Sequence, residues 1–76
     1  MAEHTYKLIE LVGVSDQGVS EAISSAVHRA AETLKGLDWF EVTQIRGTIH
    51  DGAVQQFQVS LKVGFRVMSP SELTHD

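Results

Sequence analysis

The sequence predicts an α+β fold: a β-α-β-β chain whose three-stranded antiparallel sheet, in the order 1-3-2, partly wraps one helix. Three observations lead to it. Apolar residues recur at helical spacing between residues 19 and 34. Stretches rich in β-branched and aromatic residues precede and follow that segment. The two stretches that follow are split by Asp51-Gly52, a hairpin turn signal.

Residues 5–14, TYKLIELVGV, read as the first strand and end at the turn-like SDQG. Tyr6, Leu8 and Val12 share one face, Ile9 and Leu11 the other, so both faces are expected to be partly covered. Residues 19–34 read as the helix. Val19, Ala22, Ile23, Ala26, Val27, Ala30 and Leu34 line one side, and Ser20, Glu21, Ser24, His28, Arg29 and Glu32 the other. The apolar side is dominated by Ala, which lets a helix lie close to its sheet. Ser15 or Asp16 is the expected N-cap, and Gly36 the expected glycine of the C-terminus. In the second strand, residues 39–50, the alternation slips. Phe40 and Val42 have one parity, Ile45 and Ile49 the other, which a bulge or bend near residues 43–45 reconciles. Residues 54–67 give the third strand. Phe57, Val59, Leu61, Val63, Phe65 and Val67 point one way, and Gln56, Gln58, Ser60, Lys62, Gly64 and Arg66 the other. From about residue 68 the chain reads as a frayed tail with Pro70 as a stop, and residues 1–76 as a single domain.

A strand-helix-strand passage makes strands 1 and 2 parallel. Placing strand 3 between them makes every neighbouring pair antiparallel, which gives the order 1-3-2. The apolar parity of strand 3 then faces the helix. The face turned away is polar along strand 3 but receives apolar side chains from its neighbours. Such a mixed surface suits a wet subunit interface or a ligand site. A solvated sheet face is the alternative.

A chain of 76 residues buries a modest core, and with no Cys it has neither disulfides nor thiolate metal sites to supplement it. Oligomerisation is therefore expected. The net charge of −4, without a clustered basic stripe, argues against nucleic acid. No apolar run reaches the roughly 20 residues that span a bilayer, and MAEHTYKLIE lacks the apolar core of a signal peptide, so a cytoplasmic location and no membrane partner are expected. Catalytic motifs are missing: no Cys nucleophile, no GxSxG, no Gly-rich phosphate loop. His4, His28, His50 and His75 form no HxH or HxxxH pair, so no metal site is expected. His50 beside Asp51 reads as a turn pair rather than a base.

Trp39 is the sole Trp of the chain and stands at the start of a strand, where a core anchor closing the helix-to-strand corner is one reading. Its parity opposes that of Phe40 and Val42, however, which turns it to the face away from the helix. An indole there is exposed in a monomer and needs a subunit or a flat ligand to cover it. Gln58 offers donor and acceptor together, matching the edge of a heterocycle. Arg46 offers a fork for a phosphate. If Trp39, Gln58 and Arg46 converge, they describe a site for an aromatic heterocycle bearing a phosphate; the bulge leaves the parity of Arg46 open.

The segments YKLIELVGVSDQGVSEAI, LDWFEVTQIRGTI and FQVSLKVGFR closely resemble dodecins, small flavin-binding proteins, over about Tyr6 to Arg66 and in the same order and spacing. The likeness is to the bacterial branch. The resemblance implies a hollow dodecamer with flavins bound in pairs near subunit two-folds. It implies that Trp39 stacks on the isoalloxazine, that Gln58 hydrogen-bonds the ring's polar edge, and that Arg46 meets the flavin phosphate. Arg66 matches a position linked to coenzyme A at a separate site. The implied role is flavin storage and protection without turnover, the indole quenching the excited flavin by electron transfer. FMN is favoured because of Arg46; FAD, riboflavin and lumichrome are the other candidates. The tail after Val67 is longer than the family pattern.

Two readings compete. One is a small oligomeric enzyme using Arg46, His50 and Asp51 in an intersubunit cleft; a tautomerase-like version lacks the terminal Pro, since the chain starts Met1-Ala2. The other is a structural shell that binds coenzyme A through Arg66 and Lys62, with flavin incidental.

Overall fold

The computed structural model describes residues 4–68; the tail expected from residue 68 onward lies, beyond Met68, outside the described residues. The order is β1 (Tyr6–Ser15), α1 (Val19–Ala31), β2 (Leu37–His50) and β3 (Ala53–Arg66). The strands form one antiparallel sheet in the order β1-β3-β2, as expected.

The alternation on β3 organises the core. Val59, Leu61 and Val63 face the helix and are fully buried, packed against Ala22 and Ala26 of α1. Burying each of these side chains contributes roughly 1.5–3 kcal/mol. Ile9, Leu11, Leu37 and Val42 close the rim of this cluster. The Ala-rich stripe lets α1 press onto β1. At Gly13 a Cβ would stand 2.0 Å from the Ala22 carbonyl oxygen, so the strand can pass beneath the helix only without a side chain there.

The helix ends depart from expectation. Neither Ser15 nor Asp16 caps α1. The N-cap position is Gly18, in extended conformation and without a side-chain cap bond. Ser15 stands too far upstream to reach the first helical amides, and its Oγ accepts the Gln17 amide at 3.0 Å instead. Glu21 supplies an acid to the first turn, where the helix dipole favours one. At the other end α1 stops at Ala31 rather than at residue 34. The Glu32 and Thr33 amides close onto carbonyls three residues back, at 3.2 Å each, tightening the last turn. Gly36 does take the left-handed conformation, φ +78°, but its role is to swing the chain into β2, its carbonyl accepting the Arg66 amide at 2.9 Å.

The hairpin forms as expected. Asp51 and Gly52 both have positive φ, 51° and 77°, as a tight turn matched to the strand twist requires. The expected bulge falls between Val42 and Gln44, and two further register shifts lie at Leu37/Trp39 and Thr48/Ile49. Beyond the helix the β2-β3 arm continues uncovered, and Ile45, Ile49 and Val54 are 58%, 74% and 60% exposed. The result is an elongated body of 55 × 21 × 14 Å with an apolar arm that none of the other described residues covers. Among the described residues no helix is long and apolar enough to cross a membrane.

Candidate functional site

The sheet face turned away from α1 is built by strand parity and register. Reading across β1, β3 and β2, its rows are Leu8–Gly64–Trp39, Glu10–Lys62–Glu41, Val12–Ser60–Gln44 and Val14–Gln58–Arg46. Tyr6 and Arg66 form a further row beyond Gly64. The apolar flank expected from the neighbouring strands forms on β1, through Leu8, Val12 and Val14, whereas β2 adds one apolar side chain, Trp39, beside Glu41, Gln44 and Arg46, because the bulge turns Gln44 and Arg46 rather than Ile45 to this face.

At one end lies the indole. Trp39 is 43% exposed and rests on Gly64, where a Cβ would come within 2.5 Å of ring atoms Cε2 and Cζ2. The missing side chain is what allows the indole to lie down on the sheet. The Tyr6 ring stands beside it, centroids 4.8 Å apart and planes tilted by 58°. Tyr6 is tethered in turn, its Oη donating to Asp38 Oδ2 at 2.9 Å. The hydrogen bond to the Asp38 carboxylate, aided by desolvation and by the carboxylate's charge, holds the Tyr6 phenol above its ordinary pKa, while the charge of Arg66 opposes this. Arg66 is partly buried at the same end and donates from Nη2 to Met68 Sδ at 3.4 Å.

At the other end lies a hydrogen-bonded cluster around Arg46. Its Nε donates to Gln58 Oε1 at 3.1 Å, and its Nη1 to Gln44 Oε1 at 2.8 Å and Ser60 Oγ at 3.2 Å. Gln58 is oriented by this bond and by its Nε2 donating to Gln56 Oε1 at 3.3 Å. The bulge decides that Arg46 takes part. With unbroken alternation from Trp39 and Glu41, Ile45 would point to the open face and Arg46 to the helix side. The extra residue, Thr43, reverses this, and its Oγ1 donates to the Ser60 carbonyl at 3.1 Å.

The structure therefore brings Arg46 and Gln58 together and keeps Trp39 apart from both. Trp39 pairs with Gly64, six positions along β3 from Gln58. At about 3.4 Å per residue the separation is roughly 20 Å. Lys62 and its flanking acids lie between. Arg66 belongs to the Trp39 end. His50 and Asp51 contact each other at 3.3 Å at the exposed hairpin tip, in keeping with a turn pair. They are about 14 Å along the strand from Arg46, so the three form no cleft within the protomer. No group of three potential metal-ligating side chains converges among the described residues.

Sequence reasoning passed over Tyr6, Asp38, Thr43, Gln44, Ser60 and Gly64. Gln44 was detectable in principle, standing two residues before Arg46 on one strand and hence on one face. A groove of about 470 Å³ between β1 and α1 is lined chiefly by apolar side chains such as Ile9, Leu11, Ala26 and Leu34. Its polar lining is Ser25, Arg29 and Thr33, of which Arg29 is paired with Glu32 at 3.6 Å.

A family model described as Dodecin matches residues 5–68. A Dodecin of Thermus thermophilus is 55% identical over 62 residues, which cover 82% of this chain and 90% of that one. The structure of dodecin from Streptomyces coelicolor superposes with a TM-score of 0.86 at 55% identity, covering 91% of this chain and 99% of that one. A crystal structure of the T. thermophilus dodecin with a tryptophan replaced by phenylalanine gives a TM-score of 0.85 at 49% identity, covering 88% of this chain and 100% of the other.

Proposed function

The chain belongs to the dodecin family, and we propose that it is a flavin-binding storage protein, not an enzyme, that sequesters flavins in pairs between copies of itself. The observation that carries this reading is the half-exposed indole of Trp39, laid flat over Gly64 and braced by Tyr6 on the open sheet face. A planar surface so presented suits a planar π-system better than it suits water.

The separation of the two ends of the face sets the architecture. A tricyclic flavin ring is shorter than the roughly 20 Å that separates Trp39 from Gln58 along the sheet. A ring stacked on Trp39 therefore takes its edge hydrogen bonds from Gln58 of another copy. Two protomers related by a two-fold, open faces opposed and strands running in opposite senses, supply both groups twice. The assembly is the hollow dodecamer that the family resemblance implies, and the uncovered apolar arm of Ile45, Ile49 and Val54 favours burial between copies. Arg46 takes the phosphate, which makes FMN the favoured ligand over riboflavin, lumichrome or the bulkier FAD. The indole donates an electron to the excited flavin and takes it back, so light energy is lost without chemistry. Storage takes place in the cytoplasm. Coenzyme A binding near Arg66 is the subordinate reading.

The test is a fluorescence titration of FMN with purified, flavin-free protein. Quenching that saturates at about one flavin per chain, as pairing on a two-fold requires, supports the proposal. Unquenched flavin at micromolar protein overturns it; retention of coenzyme A by that protein would then favour the shell reading.

A further inference from the structure

Arg46 is held in an unusual way for a surface arginine. Its Nε–H and Nη1 hydrogens are committed to Gln58, Gln44 and Ser60, all neutral acceptors. No carboxylate among the described residues bridges it, in contrast to Arg29, which pairs with Glu32. The guanidinium is thus fixed on one side while its charge is left uncompensated. Nη2, without a hydrogen bond among the described residues, is the nitrogen available to an incoming group. A fixed guanidinium with a full charge and its Nη2 donors unused suits a phosphate monoester.

We propose that Gln44 is the specificity-determining residue for a phosphorylated ligand. It makes the shortest of the three tethers, 2.8 Å, and it reaches the open face only because the Thr43 bulge reverses strand parity after Val42. Its neutrality matters as much as its reach. A carboxylate at this position would tether the guanidinium equally well but would neutralise it, leaving a site that still accepts the ring and no longer prefers its phosphate. Gln44 acts through Arg46 and is a positioning residue. The inference rests on the reading of Arg46 as the phosphate partner and deepens it.

The test compares FMN with riboflavin in paired titrations of the wild type, Gln44→Glu and Gln44→Ala at low ionic strength. Gln44 is exposed on its strand, so all three are expected to fold. The expected result is a wild-type preference for FMN that falls by about tenfold in Gln44→Glu, since a charge-assisted hydrogen bond of this kind is of that order. Riboflavin affinity should stay within about twofold, because the ring contacts are untouched. Gln44→Ala should lose part of the preference. An FMN-to-riboflavin ratio unchanged in Gln44→Glu overturns the inference while leaving flavin storage intact. A second measurement is independent of flavin binding: the NMR resonance of Arg46 Nε–H is followed as inorganic phosphate is added. A shift in the wild type that is lost in Gln44→Glu supports the inference even if no flavin binds, and equal behaviour of the two proteins contradicts it.

Discussion

On β3, Val59, Leu61 and Val63 are sealed beneath the helix, while Gln58, Lys62 and Arg66, interleaved with them in sequence, lie on the open face. The first set has one task, to fill volume against Ala22 and Ala26. In the second, Gln58 and Arg66 make side-chain hydrogen bonds that contribute little to the core. Because side chains alternate along a strand, stability and binding are carried by neighbouring residues yet separated by the thickness of the sheet. Substitutions one position apart should therefore fail in different ways.

The largest effect is expected on the helix side. Leu61→Ala empties a fully buried site and should cost about 2–5 kcal/mol of stability, read from chemical denaturation; a loss below 1 kcal/mol would mean the core is not where the packing places it. Trp39→Ala should do the reverse. Stacking on an aromatic side chain contributes about 1–3 kcal/mol, so FMN affinity should fall by tenfold or more and quenching should disappear, with little change in stability. Gly64→Ala sharpens the comparison with a smaller change. The added Cβ collides with the far end of a half-exposed indole, not with backbone, so the fold should survive while the ring is lifted. Weaker FMN binding together with a changed emission from the sole Trp is expected; unaltered emission would show that the indole does not rest there.

The smallest effect concerns Tyr6, the sole Tyr of the chain, whose phenolate absorbance reports one group. Its raised pKa means that its contact with Asp38 contributes to stability below the ordinary phenol value of about 10 and loses that contribution as pH rises through the raised value. Asp38→Asn should bring the titration down towards the ordinary value. A midpoint that does not move would separate Asp38 from the bracing of Trp39.

Much of the fold was legible because periodicity is a property of the chain itself. The Ala-rich helix stripe and the long alternation of β3 lead to the sheet order without further information. The slip between Val42 and Ile45 located the bulge, but which residue was extra depended on the Thr43–Ser60 bond, so the side taken by Arg46 could not be read. Counting back from the hairpin turn places Arg46 near Gln58 and Trp39 near Gly64, so the separation of the two ends was readable although the sequence reasoning did not draw it. The Tyr6 brace was not readable, since it requires the register of β1 on β3 and of β3 on β2 together. The cap expected from Ser15 failed because α1 starts at Val19, with Gly18 at the N-cap position, which leaves Ser15 to bond the Gln17 amide instead.

In the proposed assembly Trp39 and Gln58 serve one flavin from different copies. This is tested most directly by mixing two variants, Trp39→Ala and Gln58→Ala, unfolded together and refolded into common assemblies, with FMN quenching as the readout. Each variant alone should bind poorly. Across a two-fold, one of each restores an intact Trp39–Gln58 pair, so the mixture should quench well beyond the average of its components. A mixture that performs only as that average, in assemblies shown to contain both chains, would contradict the account.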